Sequence, residues 1–275
     1  MIKCNDSLLP IKVLEYKSKI KTNIKINKEY RLLKINFPLR NVKILPGQFF
    51  HLLCPSINDI SPYLRRPMSI YNFDYDANEV EFLYKIHGSG THTLSKLKKN
   101  DYLNVLGPLG NSFTIRREWK NILIVARGVG LATLLPVAKI ASSKKINVIA
   151  ILSARSPDLI MSREMFNQFG AVTRIITDSE GNSSVSDLEN LIKMLMKRNN
   201  IDCFFTCGSN RILNLLKKIC LEHKIKGQIA LEQQMACGLG MCYCCVREFE
   251  VKYKKIYKRV CKEGPVFNIV ETKPW

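Results

Sequence analysis

Cys237, Cys242, Cys245 and Cys261 are the side chains of this sequence best spaced to do chemistry. They read C-x4-C-x2-C, with a fourth cysteine after fifteen further residues, which is the plant-type spacing of a [2Fe–2S] cluster. A tight loop can bring three sulfurs to one side of such a cluster, and a returning strand can supply the fourth. Gly238 and Gly240 lie inside the loop, where a backbone without Cβ reaches positive φ and lets amides approach the sulfurs. Structural zinc is the alternative, but zinc knuckles commonly use two C-x2-C pairs and here only Cys242 and Cys245 form one. Cys244 would replace that pair by a tighter C-x-C, so it reads as a non-ligand. The chemistry implied is the movement of single electrons.

Composition narrows what surrounds this motif. A chain of 275 residues, 46% of them apolar, is long enough for two compact domains and an appendage, and too apolar for disorder. It has no uncharged apolar run of membrane-spanning length. The opening Met1-Ile2-Lys3-Cys4-Asn5-Asp6 has no apolar leader core, so the expected location is cytoplasmic. Ten cysteines in such a chain suggest metal or redox chemistry rather than a disulfide framework. Beyond the loop, Cys4, Cys54, Cys203, Cys207 and Cys220 read chiefly as small buried apolar residues. The formal charge is +20, but the 43 Lys and Arg are scattered, so neither a nucleic-acid nor a membrane partner is expected. The densest basic stretch, Lys252 to Lys258, alternates with Tyr253, Ile256 and Tyr257 and reads as a solvated hairpin beside the cysteines.

Two rhythms of secondary structure position these residues. From Leu8 to Phe113 the signals are short strands, at Ile11–Leu14, Arg31–Ile35, Gln48–Leu52, Glu79–Ile86 and Tyr102–Leu106, with one helix over Thr91–Leu97. Many short strands broken by Pro, Gly and Asn predict a small antiparallel barrel. After Trp119 strands and helices alternate. Strands are expected at Asn121–Ala126, Asn147–Ser153, Val172–Thr177 and Ile201–Cys207. Helices should run from Gly130 to about Ser142, Leu159–Phe169, Ser186–Lys197 with Ser186 as N-cap, and Asn210–Glu222. That alternation predicts a doubly wound parallel sheet. The fold class is therefore multi-domain β plus α/β, with a barrel over 1–116, a nucleotide-type α/β domain over 117–227 and a small cluster domain over 228–275.

Three further motifs could bind cofactors. Arg66-Pro67-Met68-Ser69 carries a guanidinium suited to phosphate and a hydroxyl beside a rigid proline. Leu83-Tyr84-Lys85 precedes Gly88-Ser89-Gly90-Thr91 at a helix start, a seat for pyrophosphate. In one barrel, the two favour a flavin dinucleotide. Gly128 and Gly130 mark the first strand-to-helix turn of the α/β domain, and Cys207-Gly208 ends a later strand at the same edge. Dinucleotides bind at that edge, so these four are candidates for the nicotinamide nucleotide, with Cys207 equally readable as core. Gly107-Pro108-Leu109-Gly110-Asn111 reads as a domain junction that could also abut the flavin, and Thr177–Gly181 as a loop. No residue is identified as catalytic.

In order and over nearly the whole chain, these motifs resemble one family, the electron-transfer subunits of NAD-dependent dihydroorotate dehydrogenase, within the ferredoxin-reductase-like flavoproteins. Arg66–Ser69 is similar to that family's R-P-x-S, Leu83–Lys85 and Gly90–Thr91 to its next FAD segments, and Gly107–Asn111 to its G-P-L-G-N turn. The most specific match is Glu232 through Cys245 with Val260 through Phe267. The resemblance implies FAD, a [2Fe–2S] cluster and NAD(H) as cofactors, an oxidoreductase component of pyrimidine biosynthesis, and a catalytic flavoprotein subunit as partner in a hetero-oligomer. The sequence departs from the pattern at Arg127, which stands at a glycine position of the family's G-G-x-G turn, and at Thr133, near its early proline. A long side chain at Arg127 either blocks a pyrophosphate or pairs with it. A related subunit serving a different oxidoreductase, and a zinc-stabilised basic binding module, are the alternative readings.

Overall fold

The computed structural model describes residues 13–58 and 61–274, so Ile11 and Lys12 of the expected first strand lie outside the described residues. Seven strands form one curled antiparallel sheet. They are β1 (Leu14–Lys25), β2 (Tyr30–Asn36), β3 (Phe49–Leu53), β4 (Arg66–Ser69), β5 (Asn72–Asp74), β6 (Glu79–Lys85) and, after the helix α1 (Gly88–Lys96), β7 (Tyr102–Leu109). Their order is β4-β3-β7-β1-β2-β6-β5. The expected barrel is thus a half-barrel: its edge strands β4 and β5 are neighbours in sequence and are not laddered to each other among the described residues. The concave side holds alternate residues of each strand, including Ile20, Leu33, Ile35, Phe50, Phe82 and Tyr84. Phe50 stacks edge-on against Phe37 and Phe82, with centroids 4.9 and 5.5 Å apart.

The second layer begins with β8 (Asn121–Arg127), α2 (Gly130–Ser143), β9 (Asn147–Ala154), α3 (Arg163–Gln168) and β10 (Val172–Thr177). It continues with α4 (Val185–Arg198), β11 (Cys203–Cys207), α5 (Asn210–His223) and β12 (Lys226–Ala230). The strands run parallel in the order β10-β9-β8-β11-β12. The chain winds outward from β8 to β10, then returns to the other side of β8 with β11, so the sheet reverses direction between β8 and β11. Ligands of open α/β sheets bind at the carboxyl ends of strands at such a point. β8, β9 and β11 are near-continuous apolar runs because helices cover both faces.

Three local expectations differ. The helix expected over Leu159–Phe169 is a 3-10 turn at Pro157–Leu159 followed by α3, because Ser162 adopts φ +63° between them. The cap of α4 is Ser184, not Ser186: its Oγ accepts the Asp187 amide at 3.1 Å, while Ser186 bonds to Ser184. The C-terminal segment is also less separate than an appendage. After the hairpin β13 (Val246–Val251) and β14 (Lys254–Arg259), β15 (Val266–Asn268) adds an antiparallel edge to the parallel sheet beside β12. Cys245, Phe249, Val260, Cys261 and Phe267 share one apolar core with Leu213, Leu216 and Ile229 of the α/β layer and Phe49 and Leu109 of the half-barrel. The basic hairpin forms as expected, turning on Lys252 and Tyr253 at φ +49° and +64°, with Tyr253 98% exposed.

Candidate functional site

The four cysteines meet as two pairs. Cys237 and Cys242 touch at the solvent side of the loop, and Cys245 and Cys261 touch inside the apolar core. Cys245 and Cys261 are 1% and 3% exposed, whereas Cys242 and Cys244 are exposed. Gly238, Gly240 and Tyr243 take φ of +69°, +85° and +59°, coiling the loop so that amides turn inward. The Leu239 amide reaches Cys237 Sγ at 3.4 Å, and the Cys261 amide reaches Cys245 Sγ at 3.3 Å. Burial works against ionisation of Cys237, but the amides of Cys242, Leu239 and Met241 with the Cys242 thiol outweigh it and bring the thiol down to about 6. Burial, with Cys245 beside it, pushes Cys261 up. Among the described residues no three His, Cys, Asp or Glu side chains converge on one point as a mononuclear metal site. Four thiols in two pairs with amides on the sulfurs would hold a [2Fe–2S] cluster, which they fit in donor set and charge.

The loop is stapled from behind. Arg259 donates from Nη1 to the Gly240 carbonyl at 2.7 Å and grips Glu263 bidentately, and its guanidinium lies 5.1 Å over the Tyr243 ring. One side chain thus ties the first three cysteines to the segment that carries Cys261. That segment is fixed in turn to the half-barrel by the Gly107–Asn111 turn. The Asn111 amide bonds the Gly264 carbonyl at 2.6 Å, and Asn111 Nδ2 the Glu263 carbonyl at 2.9 Å. The turn is therefore a junction to the cluster segment. His51 completes the contact: it is fully buried on β3, and a Cβ on Gly238 would lie 2.8 Å from its ring. Burial, with Arg65 nearby, pushes its imidazole down to about 4.

The flavin-type motifs also come together. β4 carries Arg66, Pro67, Met68 and Ser69, all half-buried, and pairs with β3 so that Ser69 faces Phe49 and Pro67 faces His51. The Arg66 guanidinium lies across the first turn of α1: a Cβ on Gly90 would stand 2.7 Å from Nε. A glycine-lined helix N-terminus under a guanidinium fits a pyrophosphate. Thr91 turns its hydroxyl onto its own helix, donating to the His87 carbonyl at 2.7 Å and accepting the His87 amide at 2.6 Å. Leu83 and Tyr84 point to opposite faces of β6: Leu83 joins the core shared with the α/β layer, and Tyr84 is buried in the half-barrel with its hydroxyl on Asn23 at 3.0 Å. Lys85 pairs with Glu29 at 2.8 Å. Of this segment, Tyr84 is thus structural.

At the switch point of the parallel sheet, the glycines serve close packing. A Cβ on Gly130 would lie 2.5 Å from the Cys207 carbonyl, and one on Gly208 3.0 Å from the Arg127 carbonyl. Cys207 is buried under α2, its thiol 3.8 Å from Thr133 Oγ1, and burial holds the thiol far above its ordinary range. The core reading describes its side chain. Arg127 is clamped to Asp178, with Nη2 to Oδ2 at 2.6 Å and Nη1 to Oδ1 at 3.2 Å, and bonds Ser153 Oγ at 2.9 Å. Arg127, with Ser183 adding to it, holds the Asp178 carboxyl down at about 2. The guanidinium therefore spans the carboxyl edge of β8, β9 and β10.

Sequence reasoning did not single out His51, Glu29, Asn111 or the Arg127–Asp178 pair as partners. Glu29 takes both Lys85 and Arg155, the latter from the α/β layer, and so bridges the two layers. Each of these contacts joins segments far apart in the chain, which no local pattern reveals.

Comparison with known proteins agrees with this geometry. Residues 17–113 match the model of the oxidoreductase FAD-binding domain, and residues 232–273 that of the iron-sulfur cluster binding domain of dihydroorotate dehydrogenase B. The electron transfer subunit of dihydroorotate dehydrogenase B (NAD(+)) from Caldanaerobacter subterraneus subsp. tengcongensis is 34% identical over 251 residues, covering 91% of this chain and 95% of that protein. The same subunit from Bacillus mycoides is 34% identical over 231 residues, 82% of this chain and 86% of its own. Among solved structures, an NADH-dependent reduced ferredoxin-NADP oxidoreductase studied for flavin-based electron bifurcation superposes with a TM-score of 0.79 at 27% identity, over 94% of this chain and 90% of that one. A point mutant of ferredoxin-NADP+ reductase from Plasmodium falciparum shares the fold, with a TM-score of 0.63 at 17% identity over 79% of this chain and 96% of its own. A half-barrel, a parallel sheet with a switch point between β8 and β11, and four cysteines packed against both, with relatives matched nearly end to end, establish that this chain belongs to the family of dihydroorotate dehydrogenase B (NAD(+)) electron transfer subunits.

Proposed function

We propose that this chain is the electron-transfer subunit of an NAD-linked dihydroorotate dehydrogenase, an oxidoreductase component that works with a catalytic flavoprotein subunit in pyrimidine biosynthesis. When bound, FAD exchanges electron pairs with NAD(H) and single electrons with a [2Fe–2S] cluster, which relays them to or from the partner. The observation that carries this reading is the docking of the cysteine loop on the half-barrel. His51 packs it against β3, and Asn111, just beyond β7, ties down the Cys261 segment, next to the strand that bears Arg66–Ser69.

In this reading Cys237, Cys242, Cys245 and Cys261 hold the cluster. The Arg66 guanidinium and the first turn of α1 at Gly90 and Thr91 receive the FAD pyrophosphate, and Pro67, Met68 and Ser69 with the backbone of Leu83–Lys85 line the flavin. The nicotinamide nucleotide enters at the switch point, over Gly128, Gly130 and Gly208. Arg127, held by Asp178, meets it there as a phosphate partner, and Cys207 backs the site from within. The functional division of the chain is 1–116 for FAD, 117–227 for the nucleotide and 228–275 for the cluster. Every described cysteine is an unbridged thiol, which suits a reducing cytoplasm. No helix among the described residues is long and apolar enough to cross a membrane.

Cofactor content tests the reading. Anaerobically purified chain should carry stoichiometric FAD and about two iron atoms. Arg66→Ala should weaken FAD retention by about 1.5–3 kcal/mol, the worth of a charge-assisted phosphate contact, while leaving iron unchanged. A colourless, zinc-containing protein without flavin contradicts the reading, and undiminished flavin in Arg66→Ala makes Arg66 structural.

A further inference from the structure

We propose that His51 is a positioning residue of the electron path: its Nε2 edge sets the cluster loop against the flavin strand and donates an N–H to a sulfur of the bound cluster. The inference rests on the cofactor assignment above. It begins with an imbalance in the buried polar groups. His51 has no solvent exposure, yet neither Nδ1 nor Nε2 has a hydrogen-bond partner among the described residues. Buried side-chain nitrogens are nearly always partnered, and an unpaired one costs about 1–3 kcal/mol. A neutral imidazole carries one N–H and one lone pair, so this ring holds a donor that no described residue of the chain satisfies.

The ring's orientation says where that partner lies. The atoms nearest a Cβ on Gly238 are His51 Cε1 and Nε2, both at 2.8 Å, and Cδ2 at 3.1 Å. These three atoms make up the Nε2 edge, so that edge is turned onto the residue following Cys237. Gly238 adopts φ +69° and leaves no room for a side chain, so the ring packs directly on the loop backbone next to Cys237. On the opposite side, His51 is the cross-strand partner of Pro67 in β4. Directly paired residues of neighbouring strands lie about 5 Å apart. Residue 51 therefore joins the two: its backbone is laddered to the Arg66–Ser69 strand and its ring packs on the cluster loop. It gains and loses neither electron nor proton; it fixes the gap the electron crosses and offers a dipole to the cluster.

Hydrogen bonds to the sulfurs of such clusters raise the reduction potential, because they favour the more negative reduced state. In anaerobically purified holoprotein, His51→Leu should keep FAD and iron but disfavour cluster reduction about tenfold, a shift of about 59 mV to lower potential for a one-electron couple, read by EPR-monitored redox titration. His51→Gln, which restores a donor, should recover most of the shift. Should His51→Leu fail to fold, pulsed EPR of the reduced wild-type chain with isotopically labelled histidine nitrogen decides alone. A histidine nitrogen coupled to the cluster, lost in His51→Gln, is expected. An unchanged potential in loaded His51→Leu, or no nitrogen coupling in the wild type, overturns the inference, as would the ring's being satisfied by a buried water alone. Wild-type protein without flavin or iron would instead defeat the cofactor assignment beneath it.

Discussion

Changing any one of Cys237, Cys242, Cys245 or Cys261 to serine is expected to reduce iron from about two atoms per chain to near none, whereas Cys244→Ser keeps it. The two pairs should differ in how far stability falls with the iron. Cys245 and Cys261 lie inside a core that also contains Phe249, Val260 and Phe267, so losing the cluster there leaves two polar groups buried without their partner. Burying an unpaired hydroxyl costs about 1–3 kcal/mol, and Cys245→Ser and Cys261→Ser should lose thermal stability as well as iron. Cys242 is exposed and Cys237 half-buried, and their serine variants should lose the cluster with a smaller fall in melting temperature. Iron analysis with thermal denaturation checks both statements. Iron loss from Cys244→Ser, or full iron in any of the other four, would contradict the ligand set.

The second large effect is at Gly238. Gly238→Ala forces a side chain into left-handed backbone, which costs about 1–2 kcal/mol. It also drives a methyl to 2.8 Å from the His51 ring, and overpacking of a well-filled site costs about 1–3 kcal/mol more. The ring has no room to retreat, being fully buried between Phe49 and the loop, with a 5.7 Å centroid separation from Phe49. Together these amount to about 2–5 kcal/mol, a large share of the 5–15 kcal/mol by which a native protein is stable. A melting temperature lowered by about 5–15 °C and poor cluster retention are expected. The steric part is separable: combining Gly238→Ala with His51→Ala should return part of the loss, because the two residues touch and couple. No change in stability for Gly238→Ala would mean that the loop is not pressed onto His51.

How much the sequence discloses depends on the range over which each signal acts. The cluster cysteines are legible because three of the four lie in one short loop whose spacing is set by the size of the group. The parallel sheet is legible because β8, β9 and β11 are buried on both faces and so nearly uninterrupted in apolar character. The helix break at Ser162 and the cap at Ser184 are not, because periodicity and a run of serines do not distinguish one residue from the next. Pairings across the chain leave no mark at all. Gln48–Leu52 is legible as a strand, but nothing in it indicates that His51 meets Gly238. Arg127 is legible as a departure from a glycine-rich turn. That Asp178 claims it depends on β8 and β10 bringing their carboxyl ends to the same edge. The return of β15 to the sheet is hidden for the same reason, since a three-residue strand has no periodicity of its own.

The central claim is that electrons pass, in either direction, between the nucleotide site and the cysteine loop, with the half-barrel's flavin between them. Adding NADH to anaerobically purified holoprotein, and monitoring flavin absorbance together with the low-temperature EPR spectrum, tests this most directly. Flavin bleaching accompanied by the signal of a reduced [2Fe–2S] cluster, with the cluster signal absent in Cys261→Ser, is the expected result. A flavin that bleaches while an intact cluster stays silent even with the partner subunit present, or a protein with neither chromophore, would contradict it.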